Sequence, residues 1–99
     1  MRLVLSRPAA RDLEDIIAFV AQRDPDDAQR LGAALIAAAR ELASEPAAGR
    51  PGRIHETRER SVGATPYVLV YRADPNEVTI LAVFHAARDI AQAFRDRGR

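Results

Sequence analysis

The feature that most constrains the fold of this chain is the apolar run Val78–Phe84, which ends in the polar segment His85–Asp89. A run of β-branched and large apolar residues bounded by a turn is typical of a central β-strand. The histidine, arginine and aspartate that follow this strand are predicted to be reachable from one side of the sheet. The rest of the chain must therefore supply further strands and a layer that covers them.

Two helix-start signals precede this strand. Ser6 and Pro8, after a short strand candidate at Leu3–Leu5, have the residue types of an N-cap and a first helical turn, and Asp24-Pro25 repeats the signal. Apolar residues at helical spacing follow each start: Ala9, Leu13, Ile16, Ile17 and Val20, then Ala28, Leu31, Leu35, Ala38, Ala39 and Leu42. The tight connection between these segments predicts a helical hairpin.

Three strands and a short helix are predicted after Pro46, with Gly49–Gly52 as a loop. The strands are expected within about Ile54–Val62, at Tyr67–Arg72 and at Val78–Phe84, followed by a helix with Ala87, Ile90, Ala91 and Phe94 on its apolar side and a charged tail over 95–99. The order β-α-α-β-β-β-α predicts an α+β fold in which the helical hairpin packs on a small, mainly antiparallel sheet. The 99 residues suffice for a single domain.

Composition excludes several classes of protein. The 15 basic and 14 acidic residues leave a net charge of +1, which argues against nucleic-acid binding by bulk charge, so we expect no direct DNA binding. The chain has no cysteine, and all of its basic residues are arginine, which excludes thiolate and lysine chemistry. The N-terminal apolar run is too short for a signal peptide and no segment resembles a membrane span, so we expect a cytoplasmic protein.

Acid-base residues are sparse. His85 is predicted on the buried side of its strand, in either a structural or a catalytic role, whereas His55 lies in a charged, loop-like segment. Glu56 and Glu59 are expected to form ion pairs with Arg58 and Arg60 rather than a metal site. We therefore expect neither a metal nor a cofactor.

Arginines predicted on or near the sheet have two open roles. Arg58 and Arg72 either pair across strands with Glu59 or Glu77, or join Arg88 in facing an anionic partner. Tyr67 and Tyr71 have the same parity on one strand and are predicted on one face of the sheet.

Several segments occur in a characteristic order: Ala9–Ile16, Asp24-Pro25, Pro46, Gly49-Arg50, Thr57–Glu59, Tyr67–Arg72 and Val83–Asp89. Together they resemble the ParE branch of the ParE/RelE toxin superfamily over nearly the whole chain. The resemblance implies a growth-inhibiting toxin, of the kind that acts in plasmid stabilization, in a hetero-oligomer with a cognate ParD-like antitoxin encoded beside it. The C-terminal segment of such an antitoxin wraps the toxin, and its N-terminal half binds DNA.

The resemblance implies two alternative activities. ParE-like toxins block DNA gyrase without a known catalytic residue, whereas RelE-like toxins cleave mRNA on the ribosome with a cluster of Lys, Arg and Tyr, or of Glu, Arg and His. The absence of lysine, and of tyrosine from the C-terminal segment, favours gyrase inhibition. Glu59, Arg58, Arg72 and His85 form the alternative nuclease set. An interaction domain whose toxicity has decayed is the third alternative.

Two binding surfaces are predicted. The apolar stripes of the hairpin are expected to bind the antitoxin through Leu13, Ile16, Ile17, Val20, Leu31 and Leu35. The C-terminal segment is expected to face the target, DNA gyrase, through Arg88, Asp89, Phe94 and Arg95. The short N-terminal strand is expected near an edge of the sheet.

Overall fold

In a computed structural model, which describes residues 1–97, three α-helices pack on a five-stranded sheet. Strands β1 to β5 span Arg2–Leu5, Arg50–Pro51, Arg58–Ser61, Tyr67–Ala73 and Glu77–His85, and helices α1 to α3 span Arg7–Ala21, Pro25–Ser44 and Ile90–Arg97. The sheet order is β1-β5-β4-β3-β2, with β1 parallel to β5 and the other neighbours antiparallel. The predicted α+β fold is confirmed, and β1 lies at an edge. Over residues 1–97, no helix has the length and apolar composition needed to cross a membrane.

The two long helices begin where the capping residues predict. The Ser6 hydroxyl accepts a hydrogen bond from the Ala9 amide at 3.2 Å. The Asp24 carboxylate accepts from the Asp26 and Asp27 amides at 2.9 and 3.2 Å. Each cap satisfies amides that have no partner inside the helix, so the sequence signal fixes both starts.

The sheet separates two apolar clusters. Under the hairpin, Leu35 and Leu42 of α2 pack with Tyr71 and Ile80 of the sheet. On the opposite face, α3 covers a second cluster through Ile90 and Ala93. This cluster contains Val68, Val70, Ala82 and Phe84 of β4 and β5. The central strands are therefore buried on both faces, as their continuous apolar sequences indicate.

A β-bulge in β5 adjusts which residues face the hairpin. Tyr71 pairs with Ile80 and Val70 pairs with Ala82, so Leu81 has no opposite residue in β4. In a regular strand Ile80 and Val83 would point to opposite faces, yet both lie in the cluster under the hairpin. The bulge therefore places both Ile80 and Val83 on the side of the sheet that faces the hairpin.

Two predicted segments have wrong bounds, the loop at Gly49–Gly52 and the C-terminal helix. Gly49–Gly52, expected as a loop, contains β2, whose Arg50 and Pro51 pair with Glu59 and Arg58. β3, at Arg58–Ser61, lies within the predicted window Ile54–Val62, and the residues just before it form turns. Ala87 lies in a turn before α3, and the helix continues through Arg97, in the segment predicted as a charged tail. Residues 98 and 99 of that tail lie outside the described residues.

Candidate functional site

The residues of the alternative nuclease set lie at separate places on the sheet. His85 is opposite Tyr67 at one end of the β4–β5 ladder, whereas Arg72 is opposite Thr79 near the other end. The five residue steps along β4 from Tyr67 to Arg72 correspond to about 16 Å. Glu59 is opposite Val70, whose side chain belongs to the cluster under α3, whereas Tyr67 packs against the cluster under the hairpin. The set does not converge on a single site.

His85 is exposed, which corrects its predicted place on the buried side. It is the last residue of β5, where the chain turns away from the sheet before α3 covers it. Its Nδ1 atom accepts a hydrogen bond from the Ala87 amide at 3.1 Å, and its ring meets the Tyr67 ring edge-to-face at 5.6 Å between centroids. These contacts give the ring a role in ordering the turn after β5.

Glu59 is a buried carboxylate that accepts four hydrogen bonds from Arg50 and Arg53. Its side chain is 1% exposed. Oε1 accepts from Arg50 Nη2 at 3.2 Å and Arg53 Nη2 at 3.0 Å, and Oε2 accepts from the Arg53 amide at 2.8 Å and Arg53 Nε at 3.3 Å. Burial by itself would raise the pKa of Glu59, but the hydrogen bonds and charge of Arg53, with the charge of Arg50, bring the pKa below its ordinary value.

The ion pairs expected around Glu59 are wrong in their partners. Arg58 donates to the Gly49 carbonyl at 2.8 Å, and Arg60 forms an ion pair with Glu41 of α2. Glu77 pairs with Arg2 at 2.6 Å, Glu56 faces His55, and Arg72 is exposed. Successive side chains of a strand point to opposite faces, so Arg58 and Arg60 face away from Glu59.

The predicted target-facing residues lie in α3 and in the turn before it. Arg88 is exposed, with its guanidinium 5.4 Å from the centre of the Phe84 ring, and Arg95 is exposed and donates to Gln92 at 2.7 Å. Asp89 caps α3, because its carboxylate accepts from the Gln92 amide at 3.1 Å. Phe94 is partly buried against the cluster under α3. Arg88 and Arg95 are therefore the accessible cations of this segment, while Asp89 and Phe94 also hold the helix.

The predicted antitoxin-facing residues differ in exposure. Leu35 is 2% exposed and belongs to the core, whereas Leu13, Ile16 and Leu31 are half-buried against it. Ile17 and Val20 are also half-buried. Val20 and Leu31 line an open groove of about 520 Å³, together with Ala34, Pro66 and Tyr67. The accessible part of the predicted surface is therefore this groove and the half-buried side of α1.

Sequence reasoning missed Asp12, which joins three elements. Its Oδ2 atom accepts from the Val83 amide at 3.0 Å, and its Oδ1 atom accepts from Arg97 Nη2 at 2.6 Å. Arg97 also donates to the Leu81 carbonyl at 3.1 Å. These contacts cover the edge of β5 beyond the end of β1. The only sequence signal is a carboxylate beside the apolar stripe of a helix, which is also typical of a solvated position.

The sequence matches a family of toxins and two curated relatives. The family described as "ParE toxin of type II toxin-antitoxin system, parDE" matches residues 3–90. "Putative toxin Y4kP" of Sinorhizobium fredii is 45% identical over 79% of this chain and 80% of its own length. "Toxin RelE1" of Caulobacter vibrioides is 35% identical over 84% of this chain and 90% of its own length.

Two solved structures share the fold. A chain from the chromosomal ParDE toxin-antitoxin system of P. aeruginosa has a TM-score of 0.76 and 25% identity, over 86% of this chain and 95% of its own. A chain of the toxin-antitoxin complex RelBE2 from Mycobacterium tuberculosis has a TM-score of 0.62 and 29% identity, over 85% of this chain and 95% of its own. The fold and these matches define a toxin of the ParE/RelE superfamily of type II toxin-antitoxin systems. The chain belongs to the ParE toxin family, which confirms the resemblance seen in its sequence.

Proposed function

We propose that this chain is a protein-binding toxin that inhibits DNA gyrase and is neutralised in the cytoplasm by a cognate ParD-like antitoxin. The observation that carries the proposal is the separation of Glu59, Arg72 and His85 on the sheet. A nuclease needs its acid, base and phosphate-binding groups within hydrogen-bond reach of one substrate. A protein-binding toxin needs only an accessible surface, and the exposed Arg88 and Arg95 supply one.

The state of Glu59 also favours a binding function. Its carboxylate oxygens accept from two arginines, it is buried, and its pKa is lowered, so it is a weak base without access to a substrate. His85 already uses Nδ1 to accept from the Ala87 amide. Both acid-base groups of the alternative set, Glu59 and His85, therefore make hydrogen bonds that explain their positions without a catalytic role.

An antitoxin partner follows from the relatives and from the size of the chain. Both solved relatives come from toxin-antitoxin systems. A chain of 99 residues has a small core, and a partner that covers an apolar flank adds to its stability by mass action. The hetero-oligomer is proposed to form on α1 and α2, on the surface that includes the groove at Val20 and Leu31.

Ribosome-dependent mRNA cleavage is the second candidate function. The similarity to "Toxin RelE1" and to the RelBE2 structure favours it. Under this alternative, Arg58 and Arg72 would contact phosphate while His85 and Glu59 exchanged protons, and those groups would have to move together.

A DNA supercoiling assay with purified gyrase tests the proposal. We expect the wild-type protein to inhibit supercoiling and the variants Arg88→Glu and Arg95→Glu to lose inhibition, because charge reversal in a contact surface opposes association. Antitoxin binding and the melting temperature should change little. Arg40→Glu, at an exposed position of α2, is the matched control.

A parallel assay measures cleavage of ribosome-bound mRNA. A general acid-base group contributes roughly 10² to 10⁴ in rate, so a nuclease that uses His85 would lose most of its toxicity in His85→Ala. We expect His85→Ala to remain fully toxic. The proposal fails if excess wild-type protein leaves supercoiling unaffected, or if it cleaves mRNA that His85→Ala spares.

A further inference from the structure

We propose that Arg50 and Arg53, held in place by the buried Glu59, form a second contact region on the target-facing side and bind a carboxylate-bearing segment of the target protein. This inference rests on the proposed function, because it assumes that the target is a protein. It adds β2 and the loop after it to the surface formed by α3.

The buried carboxylate of Glu59 holds both arginine side chains in place. Glu59 is 1% exposed and receives hydrogen bonds from both guanidinium groups at 3.0 to 3.3 Å. The Arg53 amide donates to the same carboxylate at 2.8 Å, which fastens the loop, and Arg50 is opposite Glu59 in the β2–β3 ladder. A ligand that binds these arginines therefore meets groups whose geometry is already set, which lowers the entropic cost of binding.

Both guanidinium groups keep free donors. Arg50 uses Nη1 for the Ser61 hydroxyl and Nη2 for Glu59, and Arg53 uses Nε and Nη2 for Glu59. Their side chains are 51% and 47% exposed, so the remaining N–H groups are accessible to solvent. Two positive charges face one buried negative charge, and the pair therefore presents excess positive charge in the forked geometry that carboxylates match.

The pair is continuous with the proposed target-facing segment. Glu59 is opposite Val70, which packs in the same cluster as Ile90 and Ala93 of α3. Hydrogen bonding to Glu59 is the largest cause of the raised pKa of Arg53, and the charge of Asp89, the cap of α3, adds to it. The arginine pair and α3 therefore lie on the same face of the sheet, where one partner can contact both.

The charge balance favours a protein carboxylate over a nucleic-acid backbone. A duplex presents a continuous row of phosphates, and binding them takes several cations that are not neutralised. Here Glu59 and Asp89 offset part of the charge of the arginines, and the whole chain has a net charge of +1. One or two carboxylates on a protein surface match this small excess of positive charge.

The experiment compares Arg50→Gln, Arg53→Gln and the double variant with Arg40→Gln, a control on the exposed side of α2. Binding to purified gyrase and inhibition of supercoiling are measured at low and moderate salt. We expect the double variant to bind gyrase at least tenfold more weakly and to lose part of the salt dependence of binding. Binding to the antitoxin should stay within about twofold, and Arg40→Gln should match the wild type.

A stability control separates binding from folding. Arg50→Lys with Arg53→Lys keeps both charges near Glu59 but removes the forked geometry, so we expect a folded protein with weakened gyrase binding. Weakened binding of this variant with an unchanged melting temperature supports the contact region.

Three other results would contradict the contact region or the proposed function. If the wild type binds gyrase and the double variant binds equally well, the contact region is refuted and the proposed function stands. If the wild type does not bind gyrase, the proposed function fails and this inference with it. If the double variant instead loses affinity for the antitoxin, or for a duplex DNA or single-stranded RNA oligonucleotide that the wild type binds, the assignment to the target protein is wrong.

Discussion

At the scale of single residues, the structure depends on buried polar groups whose partners come from distant segments. Tyr71 is 0% exposed, donates to the Pro46 carbonyl at 2.6 Å and accepts from the Gly49 amide at 2.9 Å. Gly49 is required there, since a Cβ atom would lie 2.5 Å from the Tyr71 hydroxyl. Tyr71 and Glu59 together fasten the segment between α2 and β3 to the sheet.

Glu59 should give the protein a specific sensitivity to acid. Its pKa is lower in the folded state than its unfolded value of about 4.3, so its contribution to stability is complete above the unfolded pKa and is lost as pH falls through the folded pKa. We expect Glu59→Gln to lower the free energy of unfolding at neutral pH by about 2 kcal/mol, because it weakens charge-assisted hydrogen bonds. The melting temperature of the Glu59→Gln variant should then depend less on pH below about 5 than that of the wild type.

Thermal unfolding of both proteins across the acid range measures this difference. Glu45→Gln, at an exposed position beyond α2, is the control and should follow the wild type. Parallel melting curves for Glu59→Gln and the wild type from neutral to acid pH would contradict the role given to the buried carboxylate.

The partners of Glu59 could be predicted from the sequence only in part. Strand alternation excludes Arg58 and Arg60 as its partners, so that part was predictable once β3 was placed. Arg50 became a partner through β2, a strand of two residues that includes a proline and therefore has almost no sequence signal. Arg53 reaches Glu59 from a turn, and the sequence does not specify the path of that turn.

At the scale of elements, α3 is held at its C-terminal end by a polar contact with α1 and β5. Arg97 donates to Asp12 at 2.6 Å and to the Leu81 carbonyl at 3.1 Å, and it lies 4.8 Å from the centre of the Phe84 ring. The bulge at Leu81 and the early end of β1 leave this edge of β5 without a neighbouring strand. The side chains of Asp12 and Arg97 take the place of that strand.

We expect Arg97→Gln to loosen α3 without unfolding the domain. The Arg97 and Asp12 side chains are 24% and 17% exposed, so the ion pair is partly buried, and its loss should cost about 1 to 2 kcal/mol. Hydrogen exchange should then become roughly tenfold faster at the Val83 amide and in α3, while the amides of α2 keep their protection. Arg95→Gln, which loses only an exposed contact with Gln92, is the control and should exchange like the wild type. Equal exchange in Arg97→Gln and Arg95→Gln would show that apolar packing alone holds the helix.

The predictability of the elements follows their length and their caps. Both long helices begin directly after their caps, Ser6 and Asp24, as expected, because capping and apolar spacing indicate the same start. The turn before β5 was also predictable, since the Asp74 carboxylate accepts from the Asn76 and Glu77 amides at 2.9 Å. The bulge was not, because the sequence of β5 is apolar on both sides of Leu81 and its periodicity does not reveal the change of face.

At the scale of the whole molecule, the sheet separates two surfaces with different character. The groove of about 520 Å³ between the hairpin and the loop before β4 is mainly apolar, whereas the α3 side presents Arg50, Arg53, Arg88 and Arg95. On α1, Phe19 is 57% exposed, with the Arg23 guanidinium 5.6 Å from its ring centre. The two surfaces meet beside His85, where Ile16 of α1 and Arg88 line the same depression. The order of the elements was visible in the sequence, but the groove was not.

The antitoxin is expected to cover the apolar surface. Co-expression with the protein encoded beside the toxin gene should raise the melting temperature by about 10 °C at concentrations near 100 times the dissociation constant, because binding to the folded state adds about 2.7 kcal/mol. Hydrogen exchange should slow in α1 and α2. Val20→Arg places a charge in the groove and should weaken antitoxin binding at least tenfold while gyrase inhibition persists, whereas Ala18→Arg, at an exposed position of the same helix, should change neither. Equal protection of α1 and α2 with and without the antitoxin would exclude this surface as its binding site.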